Sequence, residues 1–185
     1  MSVLIVSILA SGLLRANFPI VQGADGRLHD PLAEAHRKPL ALLFISHDCP
    51  ICNAYAPEIG RLEKRFGSKV QIDLVYCDLK FTGAEAKSHA NEFGIGTAGL
   101  LLDPAGRLST FCKATVTPQA VVFDHLGHRV YSGRIDDRYF ALGRQRPAAT
   151  SHDLALALDA VISGQTPHPA GGPPVGCFIV SPNLK

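Results

Sequence analysis

Pro39-Leu40-Ala41-Leu42-Leu43-Phe44-Ile45-Ser46-His47-Asp48-Cys49-Pro50-Ile51-Cys52 decides how the rest of the chain is read. Residues 39–46 form a continuous run of strand length, as expected of a central strand covered on both faces. The run ends at His47-Asp48-Cys49, and Pro50 suits the first turn of a helix. Beyond it Ile51, Tyr55, Ile59, Leu62 and Phe66 recur at helical steps, a buried stripe that Gly67 stops. Pro57 falls inside this helix, removes one backbone hydrogen bond and predicts a kink.

Outward from this stretch, short apolar runs alternate with amphipathic ones, the pattern of an α/β domain. Val70 to Cys77 reads as a second strand, Ala84 to Phe93 as a polar-faced helix ending at Gly94, and Gly99 to Leu102 as a short strand. Asp103-Pro104 reads as a helix start. Ala120 to Phe123 and Arg129 to Tyr131 flank the turn His125-Leu126-Gly127-His128 and predict a hairpin. Thr150 or Ser151 offers a cap for a last helix whose Leu154, Leu158, Val161 and Ile162 share a face, with Gly164 as its stop.

The chain divides into a hydrophobic N-terminal segment 1–17, a domain over 18–165 and a Pro/Gly-rich tail over 166–185 that orders only by docking. Met1 to Leu14 has the length of a signal-peptide core, but a basic n-region and a small-x-small cleavage site are missing. Export to the periplasm or beyond is one expectation. The other is a cytoplasmic protein with a buried first strand or a start assigned a little late; in neither does the mature protein keep a membrane span.

A length of 185 residues fits one domain, and 46% hydrophobic with 18% charged residues excludes wholesale disorder and fibrous chains. A net charge of +2 supplies no field for nucleic acid or an anionic membrane. Five cysteines are too few for a disulfide-dense scaffold, and an odd number leaves at least one thiol unpaired within the chain.

Cys49-Pro50-Ile51-Cys52 carries the chemistry. A cysteine at a helix N-terminus meets unpaired N–H groups and the positive end of the macrodipole, which favour thiolate over thiol, so Cys49 is the expected nucleophile. Cys52, on the first turn, is placed to attack a mixed disulfide at Cys49 and release the partner. Zinc is the competing reading of the pair, but a structural site needs two more ligands at matched spacing and His47 offers only a third, so redox chemistry without a metal is the preferred expectation. The redox-active Cys49–Cys52 pair itself stands in place of a cofactor.

These residues resemble the thioredoxin superfamily. In such proteins a proline at the place of Pro57 kinks the active-site helix, and Val116-Thr117-Pro118 looks like the cis-proline loop that faces the cysteines. The resemblance implies a cis Thr117-Pro118 bond, with the Thr117 backbone turned toward the sulfurs to pair with a substrate polypeptide. The 66 residues from Cys52 to Pro118 resemble the bacterial redoxin (AhpC/TSA-like, thiol-disulfide oxidoreductase) branch. So do Asp48-Cys49-Pro50-Ile51, Tyr55-Ala56-Pro57-Glu58-Ile59, Ala114-Thr115-Val116-Thr117-Pro118, the stretch from Tyr131 through Gly133-Arg134-Ile135-Asp136-Asp137 to Tyr139, and Val175-Gly176-Cys177-Phe178-Ile179. The implied fold is thioredoxin-like, a central mixed sheet flanked by helices, with a redoxin-type insertion between the active-site helix and the cis-proline loop. The implied protein is a monomeric thiol-disulfide oxidoreductase acting on protein thiols and disulfides, with an external electron donor or acceptor.

Departures from the pattern open alternatives. Asp48 stands where thioredoxins place Trp, and a carboxylate there is expected to oppose a Cys49 thiolate. The strand offers no buried acid, which leaves Asp48, His47 and Glu58 as candidate proton acceptors. The Gly-Cys tail is more regular in that family than the second cysteine, which raises a rival pairing of Cys49 with Cys177.

A peroxiredoxin-like peroxidase has Ser46 where that class uses Thr, but Leu42 in place of its proline. In that reading Arg134 holds the thiolate, Cys49 becomes a sulfenic acid, and Cys52 or Cys177 resolves it. A third alternative is a non-enzymatic binding module with a structural disulfide, docking through 133–146, a stretch that otherwise reads as a salt-bridged surface loop. Cys77 and Cys112 read as buried hydrophobes, and His125 and His128 as solvated turn residues.

Overall fold

The structure, a computed structural model, describes residues 18–95, 99–169 and 171–180; the hydrophobic segment 1–17 lies outside the described residues. In chain order the elements are β1 (Val21–Gly23), β2 (Leu28–His29), α1 (Pro31–Glu34), β3 (Leu40–Ile45), α2 (Pro50–Phe66), β4 (Gln71–Tyr76), α3 (Gly83–Glu92), β5 (Gly99–Leu102) and α4 (Arg107–Cys112). They continue with β6 (Val116–Thr117), β7 (Gln119–Phe123), β8 (Arg129–Gly133), β9 (Tyr139–Ala141), β10 (Arg144–Gln145), α5 (Asp153–Ile162) and β11 (Cys177–Phe178). The main sheet runs β2-β1-β5-β4-β3-β7-β8. β3, β4 and β5 are parallel neighbours, and β7, β8, β1 and β2 join antiparallel, so the sheet is mixed.

β3 is central, and its unbroken apolar sequence follows from burial on both faces. Ala41, Leu43 and Ile45 point into one core with Ile59 and Leu62 of α2, Ala86 of α3 and Leu154 and Leu158 of α5. Leu40, Leu42 and Phe44 point into the other, with Phe18, Leu32 of α1, Leu108 of α4 and Phe123. Each such Leu or Phe contributes on the order of 2 kcal/mol by leaving water. Because the two-residue period separates the faces, a one-residue slip of β3 would exchange the cores. The register that places Ile45 opposite Tyr76 thereby fixes where the strand ends and Cys49 begins α2.

Local chemistry sets the remaining ends, not always where the pattern predicts. α2 continues through Pro57 as one helix to Phe66. α3 starts on a capping box, with the Thr82 hydroxyl accepting from the Glu85 amide and Glu85 accepting from the Thr82 amide.

α4 begins at Arg107, a turn later than the Asp103-Pro104 signal. The Asp103 carboxylate still caps it from a distance, accepting the Leu108 and Ser109 amides at 3.1 and 2.8 Å. α5 is not capped by Thr150 or Ser151: it starts at Asp153 with His152 in the cap position, while the Thr150 hydroxyl and the Thr150 and Ser151 amides donate to Asp137.

The stretch 133–146 carries the ion pairs Arg134–Asp153 and Arg146–Asp137, and its outer part 140–146 is largely exposed, but its inner part is buried. Asp136 and Asp137 are buried and accept hydrogen bonds from Tyr55 and Thr150, while β9 and β10 form a small hairpin. The tail does dock: β11 pairs with β6.

Asp73 in β4 is buried, and that burial pushes its carboxyl up to about 6, against a hydrogen bond from Gln71. A carboxyl whose pKa is raised on folding binds more protons folded than unfolded, so its contribution to stability is lost as pH climbs from about 4 through 6. Asp73→Asn is therefore expected to stabilise the protein by about 1–3 kcal/mol at pH 7–8 and to change little below pH 4. Urea denaturation at both ends of that range checks it; an equal effect at both would contradict the assignment.

Candidate active site

The site sits where β3 hands over to α2, at the carboxyl end of the parallel strands. Cys49 is the N-cap of α2, in extended conformation with φ −81° and ψ 112°, and its carbonyl accepts the Asn53 amide at 3.1 Å. Pro50 opens the helix, where its missing N–H costs nothing. Across from it the Thr117-Pro118 bond is cis, and the Thr117 carbonyl oxygen lies 3.4 Å from Cys49 Sγ, in position to accept the thiol proton.

Five cysteines are present and all are unbridged. The Cys49 thiol is drawn down to about 5: the Cys52 thiol donates to it most strongly, burial opposes, and the Cys52 amide with the Cys177 thiol and amide complete the donor set. Cys52 moves the other way. Burial raises it well above the ordinary thiol range, the Cys49 charge adds to that, and a Ser46 backbone group and the Thr117 hydroxyl only partly offset it. A thiolate beside a held proton is the distribution that an attacking and a resolving thiol require.

Cys177, carried in by β11, lies with its Sγ 3.1 Å from Cys49 Sγ; Cys49 first, then burial and the Asp48 carboxylate among other causes, push it up to about 11.

No family model matches the chain, and no curated protein does. Solved structures do match. A hypothetical protein from Sinorhizobium meliloti superposes with a TM-score of 0.76 at 22% identity, over 89% of this chain and 91% of that one. An uncharacterized conserved protein from Geobacillus kaustophilus gives 0.77 at 22% identity, over 90% and 91%. A secreted Mycobacterium tuberculosis disulfide oxidoreductase homologous to E. coli DsbE gives 0.57 at 18% identity, over 80% and 96%. The fold is thioredoxin-like.

Within this thioredoxin-like frame the sequence candidates fall into two groups. Cys49, Cys52, Thr117, Pro118 and Cys177 come together at one point. Asp48 lies beside them but is turned to the Ser46 hydroxyl, 2.6 Å away, so the expected opposition to the Cys49 thiolate is redirected: its charge bears on Cys177.

Ser46 shares its single proton between Asp48 and Asp78, which lies 2.7 Å from it, and is occupied there. Arg134 is engaged with an acid and with the tail. Its guanidinium is paired with Asp153 at 3.0 Å and its amide donates to the Gly172 carbonyl, so it fastens the tail. The proposed proton acceptors His47 and Glu58 pair with Asp78 and Arg61. Cys77 and Cys112 are buried, and burial raises both thiols.

Three contributions escape the sequence reading. Asp78, just past β4, accepts from Ser46, the His47 amide and the His47 ring, and so holds the turn before Cys49. Asn53 donates to the His47 carbonyl, and its amide oxygen meets His89 Nε2, whose Nδ1 meets the Tyr76 hydroxyl, a polar chain that runs from the surface into the interior under the helix start. Gly176 admits the tail. Gly176 is visible in the sequence only as part of the Gly-Cys tail, and Asp78 and Asn53 carry no local signal.

His47, Asp48 and Asp78 offer three ligand atoms close together, all committed to one another or to Ser46. Among the described residues no helix is long and apolar enough to cross a membrane.

Thiolate absorbance at 240 nm is expected to titrate with a midpoint near pH 5 in the reduced protein and to lose that transition in Cys49→Ser. A first transition near the ordinary thiol range would contradict the electrostatics described here.

Proposed function

We propose that the protein is a thiol-disulfide oxidoreductase that exchanges disulfides with protein substrates. The observation that carries this is the pairing of a Cys49 thiolate at the start of α2 with the protonated, buried Cys52 beneath the cis-proline loop. Cys49 attacks a substrate disulfide, forming a mixed disulfide and releasing one substrate thiolate. Cys52 then attacks Cys49 Sγ, the second substrate sulfur leaves, and the enzyme holds a Cys49–Cys52 disulfide. An external dithiol returns it to the reduced state, and the reverse sequence oxidises a substrate.

The peroxidase alternative draws less support. Ser46 is engaged by two carboxylates and Arg134 by Asp153, so both of the groups that reading needs already have acidic partners. The similarity to a secreted disulfide oxidoreductase supports an extracytoplasmic setting, where such exchange with folding proteins takes place.

In an insulin reduction assay driven by dithiothreitol, Cys49→Ser is expected to fall to the uncatalysed rate, and Cys52→Ser by at least about tenfold, since a displaced resolving thiol loses the advantage of proximity. Full activity in Cys49→Ser would overturn the reading. Peroxide consumption that depends on Cys49 and exceeds insulin turnover would replace it with the peroxidase.

A further inference from the structure

The two-cysteine cycle leaves one part of the site unused. β11 pairs antiparallel with β6, Cys177 opposite Thr117 and Phe178 opposite Val116, and the Ile179 amide extends the pairing by donating to the Thr115 carbonyl at 3.0 Å. This is the edge on which a substrate polypeptide would be bound by strand addition, and the chain's own tail holds it. Cys49 is 1% exposed, whereas Cys177 is exposed. The sulfur that a partner meets first is therefore Cys177.

The approach is built into the chain. A Cβ on residue 176 would collide with the Thr117 carbonyl oxygen, so only glycine lets the tail lie this close. Upstream, Gly171 lies against Ser132 and Gly133, and the Gly172 carbonyl accepts the Arg134 amide at 3.1 Å, which anchors the tail to the end of β8.

We propose that residues 176–178 are a tethered substrate and that Cys177 is a third redox thiol, which closes a disulfide with Cys49 and carries the exchange to protein partners. The inference rests on the exchange reading of Cys49 and extends it. Starting from the Cys49–Cys52 disulfide, the Cys177 thiolate attacks Cys49 Sγ. The Cys49–Cys177 bond forms and the Cys49–Cys52 bond breaks, with the electron pair leaving on Cys52, which takes up a proton as Cys177 gives one to solvent. One disulfide has moved from the interior to the surface without an added oxidant.

A partner dithiol then attacks the exposed Cys177 sulfur, and Cys49 departs as a thiolate. The partner's second thiol frees Cys177, leaving the partner oxidised and the enzyme reduced. A low-pKa thiol is the better leaving group, so attack at Cys177 is favoured over attack at Cys49. Cys177 is held protonated chiefly by the Cys49 thiolate, and that hold ends once Cys49 enters a disulfide.

The test is oxidation of the full chain by oxidised glutathione, read by intact mass and peptide mapping, in Cys52→Ser and in Cys52→Ser/Cys177→Ser. The double variant should keep one glutathione on Cys49. Cys52→Ser should lose that adduct and become a monomer lighter by two hydrogens, with a Cys49–Cys177 peptide. Adding Gly176→Ala to Cys52→Ser should slow this closure by at least about tenfold.

A stable glutathione adduct on Cys49 in Cys52→Ser, as in the double variant, would overturn the tethered-substrate role while leaving Cys49 exchange intact. Failure of both variants to take glutathione at Cys49 would overturn the exchange reading and this inference with it.

Discussion

Burial of β3 on both faces is the constraint on which the rest depends. Six consecutive core residues leave the strand a single register against β4 and β7, and the sheet therefore delivers Cys49 to one position at the start of α2. At that position Cys49 gains donors from Cys52 and Cys177 while remaining covered, so the reactivity of one sulfur is a consequence of how the whole sheet packs. The carbonyl of Thr117 then closes the site from β6, on the far side of a cis proline.

Electrostatics around the pair are divided rather than uniform. Cys52 is kept protonated by burial and by the neighbouring thiolate, which makes the pair asymmetric before any substrate arrives. Asp48, whose charge would erode that asymmetry at Cys49, is held by Ser46, and Asp78 holds both Ser46 and His47 in turn. The donors that lower the Cys49 thiol are sulfur and backbone groups, while Arg134 pairs with Asp153 and the tail.

Much of this was legible in the sequence where the signal is local. The apolar run of β3, the helical stripe from Ile51 to Phe66, the Cys49–Cys52 spacing and the β7–β8 hairpin each follow from neighbours within a few residues. What escaped depends on partners far along the chain. The direction of Asp48 is set through Ser46 by Asp78, 32 residues on from Ser46.

Thr150 and Ser151 look like helix caps until Asp137 claims them. The tail reads as a Pro/Gly segment that orders only by docking, but where it docks is set by β6, sixty residues upstream, and by a glycine whose role appears only against the Thr117 carbonyl.

On the proposed exchange chemistry, Cys49 is the common member of every exchangeable disulfide in this protein. Equilibration of the wild-type chain across a glutathione redox series, with acid quench and peptide mapping, tests it directly. The expected result is one reversible two-electron transition in which the mapped disulfides all contain Cys49, divided between Cys52 and Cys177, while Cys77 and Cys112 stay thiols. A Cys49 that remains a free thiol at the oxidising end, or a disulfide that joins Cys52 to Cys177, would contradict it.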